Sequence, residues 1–164
     1  MFNNKKLNIT NIWFMLKVCF QLQLKELVLD IVQAPLNDLP WFLAYMFTSI
    51  ILTLVYMVVY SWITPHPEIK LIKENNMAAS TAFAGSLIGF CLPLASAMTN
   101  SVSIIDCVIW GIVAIIVQVV IFFLVRLPIP KISDRIEKGE LASGFWLGAT
   151  SLAGGILNAA SMTN

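Results

Sequence analysis

Residues 77–100 read MAASTAFAGSLIGFCLPLASAMTN, and residues 141–164 read LASGFWLGATSLAGGILNAASMTN. Laid over each other without gaps at an offset of 64 residues, they close on the near-identical ends ASAMTN (residues 95–100) and AASMTN (residues 159–164). At about 1.5 Å of rise per residue each stretch is long enough to cross a hydrocarbon core of about 30 Å as a helix. Neither is greasy. In the first, Ala78, Ala82, Gly85 and Gly89 recur on one helical face, and in the second Gly144, Gly148, Ser151, Gly155 and Ala159 do the same. Lipid gives helices no hydrophobic reason to associate, so close dispersion contact must hold them, and small residues permit it. Gly85/Gly89 and Gly144/Gly148 fit the G-x-x-x-G spacing. The expectation is that these two helices pack at the centre, with Gly85, Gly89, Gly144, Gly148 and Gly155 as contact points.

Each small-residue stretch is preceded by an oilier one. Residues 41–63 are rich in Ile, Leu, Val and Met, with Trp41, Tyr45, Tyr60 and Trp62 towards the ends, where interfacial aromatics belong. Residues 104–127 are Val/Ile-rich with only Gln118 polar well inside. Both lead to a proline pair, Pro65-His66-Pro67 and Pro128-Ile129-Pro130, and then to a Lys/Glu segment. The unit of duplication is therefore oily helix, basic loop, small-residue helix. The spacing predicts an all-α membrane protein of four transmembrane helices, about 41–63, 77–99, 104–127 and 141–162, arranged as two tandem helical hairpins. Residues 41–100 form the first repeat, 101–164 the second, and 1–40 an N-terminal extension. Because each unit crosses twice, the copies share one topology, which disfavours an inverted-repeat transporter.

Composition agrees. The 164 residues are 59% hydrophobic and 12% charged, with a mean hydropathy of +0.84, too oily for an ordinary soluble domain. Ten Lys and Arg against nine Asp and Glu leave a net charge of +1, no field for binding nucleic acid. Cys19, Cys91 and Cys107 have no C-x-x-C spacing and suggest neither a disulfide framework nor a zinc site.

The connections at 64–76 and 128–140 hold Lys70, Lys73, Lys131, Arg135 and Lys138, whereas the short link at 100–103 and the C-terminal tail hold no Lys or Arg. The positive-inside rule for short loops puts the two basic connections in the cytoplasm and both chain ends outside. Lys5, Lys6, Lys17 and Lys25 pull the other way, but only Lys25 lies close enough to the first span to count strongly. Within the extension, Ile9, Trp13, Leu16, Phe20, Leu24, Leu27 and Ile31 recur at helical spacing, with Lys17, Gln21, Lys25, Glu26 and Asp30 off that face. This pattern predicts an amphipathic helix lying in the membrane interface or against a partner chain, and not a signal peptide, since the apolar run is broken and no A-x-A-like site follows. Asn37, Asp38, Leu39 and Pro40 are expected to turn the chain into the membrane.

The run Ile63-Thr64-Pro65-His66-Pro67-Glu68, then Leu71-Ile72-Lys73, Asn75-Asn76 and Ala78-Ala79-Ser80, resembles the YjfL-type family of bacterial inner-membrane proteins. Further matching segments follow in order. They are Pro93-Leu94-Ala95-Ser96, Val102-Ser103-Ile104 with Asp106, Trp110-Gly111, Val117-Gln118, Val125-Arg126 with Pro130, Leu152-Ala153-Gly154-Gly155-Ile156, Asn158-Ala159-Ala160 and Met162-Thr163. The resemblance covers residue 41 to the end and implies paired helices in tandem, an inner-membrane location and a domain of unknown function. It brings no established catalytic or ligand residues. The first forty residues are longer than the family's usual lead-in.

Chemistry is sparse. His66 is the only histidine, which leaves a His-rich metal site without a second imidazole; its P-H-P setting reads as an exposed turn. Glu68 and Lys73 read as part of a solvated loop. Ser103, three residues before Asp106, reads as a capping-box start, which gives that acid a structural role. Gln118 and Asn158 must point into protein or a water-filled cavity, because an amide in hydrocarbon is costly unless paired. An interhelical hydrogen bond is the ordinary reading and a permeation path the sharper one. Phosphate-cradling and nucleophile-elbow motifs are absent from the sequence. The expected protein is thus a non-enzymatic inner-membrane component with no metal and no cofactor. It acts as an envelope accessory or assembly partner through His66, Glu68, Lys70, Lys73, Lys131 and Lys138 of its cytoplasmic loops. Its partners would be the lipid bilayer and a second copy or another cytoplasmic or membrane protein. The alternative is a small oligomeric channel or transporter for a neutral or weakly polar solute.

Overall fold

The computed structural model describes residues 9–65 and 67–162; 88% helix and no strand among the described residues make the protein all-α. The order is α1 (Ile9–Ile63), α2 (Glu68–Lys73), α3 (Met77–Asn100), α4 (Ile104–Arg126), α5 (Ile132–Glu137) and α6 (Leu141–Ser161). Three segments are long and apolar enough to cross a membrane: Trp13–Ile63 of α1, Met77–Asn100 and Ile104–Arg126. α6 is long enough at 21 residues and carries no charge, but its Ala, Gly and Ser content lowers its mean hydropathy.

The chain divides into two compact units, Met1–Leu43 and Ala44–Asn164. In the first, Trp13, Leu16, Phe20, Leu24, Leu27 and Ile31 are exposed, and so are the polar residues between them. A stripe of large apolar side chains left uncovered needs lipid or protein over it. The turn expected at residues 37–40 is absent, and α1 runs through both Pro35 and Pro40. Each proline deletes only its own N–H and leaves the rest of the ladder intact, a loss that apolar helices tolerate better than soluble ones.

In the second unit, α3 and α6 form the most extensive helix pair. They run parallel: Ala78 lies against Gly144, Gly85 against Gly148, Gly89 against Gly155, and the Ser96 hydroxyl donates to the Ala159 carbonyl at 3.1 Å. The approach is backbone to backbone. A Cβ on Gly85, Gly144 or Gly155 would collide with main-chain atoms of the other helix, and one on Gly148 would stand 2.6 Å from the Thr81 carbonyl oxygen. Pro93 is buried within the continuous α3.

The end of α1 completes the core with aromatic rings. Tyr56 stacks on Phe90, with centroids 4.3 Å apart and planes at 13°, and Tyr60 meets Phe83 and Phe122 at 5.8 and 5.9 Å. Offset stacked and edge-on rings are favoured by their quadrupoles in addition to their area. The outer faces of α1 and α4, with Phe47, Ile51, Val58, Ile112, Ile116 and Phe123, remain exposed. At the start of α4 the Ser103 hydroxyl accepts from the Asp106 amide at 3.2 Å, while the Asp106 carboxylate accepts from the Val102 amide at 3.3 Å, one residue before the cap.

The connections are not plain loops. Both contain a six-residue helix, α2 and α5, spaced by the same 64 residues as the starts of α3 and α6. The residue two places before each long helix, Asn75 (φ 61°) and Gly139 (φ 82°), is left-handed, the conformation that ends a helix sharply and that Gly and Asn adopt at least cost. Periodicity missed these helices because six residues are too few to display it.

Candidate functional site at the loop end of the bundle

Because α3 and α6 are parallel, α2 and α5 lie at the same end of the second unit. Asn76 joins them. Its Oδ1 caps α3 by accepting from the Ala79 amide at 3.0 Å, and its Nδ2 donates to the last carbonyls of α5, Ile136 at 3.0 Å and Glu137 at 3.1 Å. A single amide thus supplies an N-cap to one repeat and satisfies orphan C-terminal carbonyls of the other. The counterpart of Asn76 is Glu140, whose carboxylate accepts from Arg135 Nε at 2.6 Å and ends the α5–α6 turn. α2 and α5 each turn an apolar side inward through Leu71, Ile132 and Ile136.

Lys70, Lys73, Lys131 and Lys138 are all exposed on this end, with Lys70 held loosely to Glu74 at 3.9 Å across one helical turn. An exposed pair of that kind contributes little to stability and leaves the ammonium available. His66 lies outside the described residues.

Glu68 differs from its expected place. Instead of lying in a solvated loop it opens α2 and is 2% exposed. Its equivalent in the second repeat is Ile132, exposed at 0%. The matching seats hold a buried apolar side chain in the second repeat and a carboxyl group in the first. Facing it from α1 are Tyr60 and Tyr56. The Tyr56 hydroxyl makes a short hydrogen bond to the Ser86 hydroxyl and also donates to the Ser86 carbonyl at 3.3 Å. The Tyr60 hydroxyl is buried within reach of both Glu68 and Ser86. The sequence reading gave Tyr60 an interfacial place and gave Tyr56 and Ser86 none. The available signal was the i, i+4 spacing of the two tyrosines on a face opposite Ser86, together with the Glu68/Ile132 mismatch between the repeats.

Deeper in the bundle, Gln118 is 2% exposed; its Nε2 donates to the Ser151 carbonyl at 3.3 Å and presses against Gly89, and its Oε1 is buried without a partner. Asn158 is half-buried, with Nδ2 shielded and unpartnered. Among the described residues no hydrogen bond joins Gln118 to Asn158. Cys19 and Cys91 are exposed, Cys107 is buried, and all three are free thiols. Among the described residues no three His, Cys, Asp or Glu side chains converge as metal ligands.

Residues 34–162 match the model of a family described as Domain of Unknown Function (DUF350). The chain is 46% identical over 128 residues to the UPF0719 inner membrane protein YjfL of Escherichia coli (strain K12), covering 78% of this chain and 97% of that protein. The same identity and coverage hold for the UPF0719 inner membrane protein YjfL of Escherichia coli O157:H7. No solved structure matches.

Proposed function

We propose, starting from the fact that the chain belongs to the DUF350 family, that it is a non-enzymatic accessory or assembly component of the inner membrane. In this reading the second unit crosses the bilayer four times as two tandem hairpins, and its loop end docks a protein partner in the cytoplasm. The observation that carries the reading is the Asn76 bridge. By tying the α2–α3 turn to the end of α5 it gathers Lys70, Lys73, Lys131 and Lys138 of both repeats on one ordered surface. Four exposed ammonium groups steer an acidic partner and raise its rate of encounter, the usual effect of rim charge. The positive-inside rule assigns this surface to the cytoplasm and both chain ends to the outside. α6 owes its place among the spans to α3, whose backbone it touches, and not to its own hydropathy.

The test replaces Lys70, Lys73, Lys131 and Lys138 with Gln together, isolates the full chain from native membranes and compares what is recovered with it by quantitative mass spectrometry. A docking surface predicts loss of a wild-type partner at unchanged membrane level of the variant. Identical recovery with both proteins overturns the reading. A reporter fused after Asn164 that is active only in the cytoplasm overturns the sidedness.

A further inference from the structure

At the end of the bundle away from the lysines, the last residues of α3 and α6 and the first turns of α4 border a pocket of about 180 Å³. Asn100, Ser101, Asp106, Trp110, Ser161 and Met162 line it. Asp106 and Trp110 are four residues apart on α4 and so share one face of it. The duplication does not account for this pair, because the matching places 64 residues earlier hold Phe42 and Met46. The polar groups of the pocket present lone pairs. Asn100 Nδ2 donates to the Ser96 carbonyl at 2.8 Å, which leaves Oδ1 as an acceptor, and the Ser161 hydroxyl donates its hydrogen to the Leu157 carbonyl at 2.8 Å. Asp106 Oδ2 accepts from the Val102 amide at 3.3 Å, while its Oδ1 has no hydrogen bond among the described residues. The Ser101 hydroxyl oxygen is shielded from solvent and has no hydrogen-bond partner among the described residues. α3 and α6, of 24 and 21 residues, are parallel and end here together. Each brings about half a negative charge at its C-terminus. The opposing positive start of α4 is already met by Ser103 and Asp106. No Lys or Arg occurs in residues 98–125 or 139–164.

We propose that this pocket binds the primary ammonium headgroup of an ethanolamine phospholipid, with Asp106 as counter-charge and Trp110 as the aromatic wall. A site made of acceptors, with negative charge and no base, selects a cation that donates hydrogen bonds. A primary ammonium carries three N–H donors and no acceptor. Asp106 Oδ1, Asn100 Oδ1 and the Ser161 hydroxyl oxygen offer three acceptors in one pocket. A hard metal ion needs about six oxygens close around it and favours several carboxylates. Here there is one carboxylate, and Trp110, Ala97 and Met162 give the wall an apolar side that suits a carbon-bearing cation. An aromatic ring attracts such a cation through its quadrupole. The inference needs α3 and α4 to cross the bilayer and does not depend on the docking role of the lysines.

Position favours a lipid over a free amine as the source of the ammonium. The pocket lies where two apolar helices, α3 and α4, end and begin, which in a bilayer is the level of the headgroups. Val102 at the pocket and Ile105 and Ile109 beside Asp106 and Trp110 on α4 are exposed, so acyl chains have an apolar surface to lie along. The lack of Lys and Arg at this end leaves an anionic headgroup nothing to pair with, whereas a zwitterionic lipid brings its own cation.

The experiment is native mass spectrometry of the full-length protein in detergent, titrated with dioleoyl phosphatidylethanolamine, phosphatidylcholine or phosphatidylglycerol, and separately with free ethanolamine. The wild type should bind the ethanolamine lipid roughly tenfold more tightly than the other two, the effect of one charge-assisted hydrogen bond that neither of the others can make. Asp106→Asn, which still accepts from the Val102 amide but has no charge, should lose that preference. Trp110→Leu should weaken binding of the ethanolamine lipid by roughly threefold, as expected for one cation–π contact near the surface. Ser161→Lys places a tethered ammonium at the pocket, where a helix C-terminus favours it, and should abolish the preference with the fold intact. Asp134→Asn removes a charge from the loop end and should change nothing. Equal binding of the three lipids by the wild type overturns the site, as does a preference that survives in Asp106→Asn or Ser161→Lys or binding unchanged in Trp110→Leu. Free ethanolamine bound as tightly as the lipid overturns the lipid as its source. Thermal unfolding of each variant verifies the fold, and partner recovery with the lysine variants is read independently of all these outcomes.

Discussion

Gly154 and Gly155 are adjacent in α6, and the structure gives them opposite tolerance for a methyl group. A Cβ on Gly155 would meet the Cα, carbonyl carbon and oxygen of Gly89, all main-chain atoms of the facing helix. The atoms nearest to one on Gly154 all belong to the side chain of Ile121, which is flexible enough for its Cδ1 to rotate away. Both changes gain the same helix propensity, at most about 1 kcal/mol for Gly to Ala. For Gly154→Ala the gain is offset by a modest rearrangement of Ile121, so the net change should stay within about 1 kcal/mol of zero. For Gly155→Ala the helices must separate by enough to restore an ordinary carbon–oxygen contact. That shift also loosens the Gly85/Gly148 and Ala78/Gly144 contacts along the same seam. Overpacking against a backbone costs about 1 to 3 kcal/mol, and lost dispersion along the seam adds to it, so a net destabilisation of about 2 kcal/mol is expected. Thermal and denaturant unfolding of both variants in the same detergent, with the wild type alongside, measures the difference. Equal stabilities, or a less stable Gly154→Ala, would refute the claim that backbone contact between α3 and α6 holds the bundle together.

Two further outcomes follow from single side chains. Asn76→Ala should cost about 2 to 3 kcal/mol through loss of an N-cap and two bonds to the α5 carbonyls, whereas Asn76→Asp, which keeps the cap and loses the donor, should recover about 1 kcal/mol of it; unfolding midpoints decide. Gln118→Leu should change stability by less than about 1 kcal/mol, because the bond to Ser151 is long and the buried orphan Oε1 disappears with it. Under the channel alternative the same variant in liposomes would abolish solute flux, so flux present in the wild type and missing in Gln118→Leu would give Gln118 a role beyond packing.

Much of the fold was legible because it depends on features that sequence carries directly. An amphipathic or wholly apolar run of helical length declares a helix, and the 64-residue offset of two Met-Thr-Asn endings declares a duplication whatever the residues do in space. The small stripes of residues 77–100 and 141–164 pointed to contact helices for the same reason: only Gly and Ala let backbones touch, so their periodic placement has few other uses. The candidate site was less legible. Lys70, Lys73, Lys131 and Lys138 could be placed on loops by counting, but Glu68 could not be placed in the interior. A carboxylate after a proline pair ordinarily faces water, and only the return of α2 against α1 and α3 removes it. Tyr60 read as an interfacial aromatic because a ring at a span's end has two common destinations, the headgroups and the core, and Tyr56, one turn earlier, carried no signal of its own.

The sequence by itself determined the helical class, the spacing of the duplicated halves and the ends at which charge collects, since hydrophobic transfer and helix geometry act locally on each stretch. Only the tertiary structure decided that α3 and α6 run parallel in backbone contact, that Asn76 ties the repeats together, and that one copy buries a carboxyl where the other buries an isoleucine. These facts depend on which surfaces meet, and a meeting between residues about 60 positions apart leaves no trace in the local pattern of either partner.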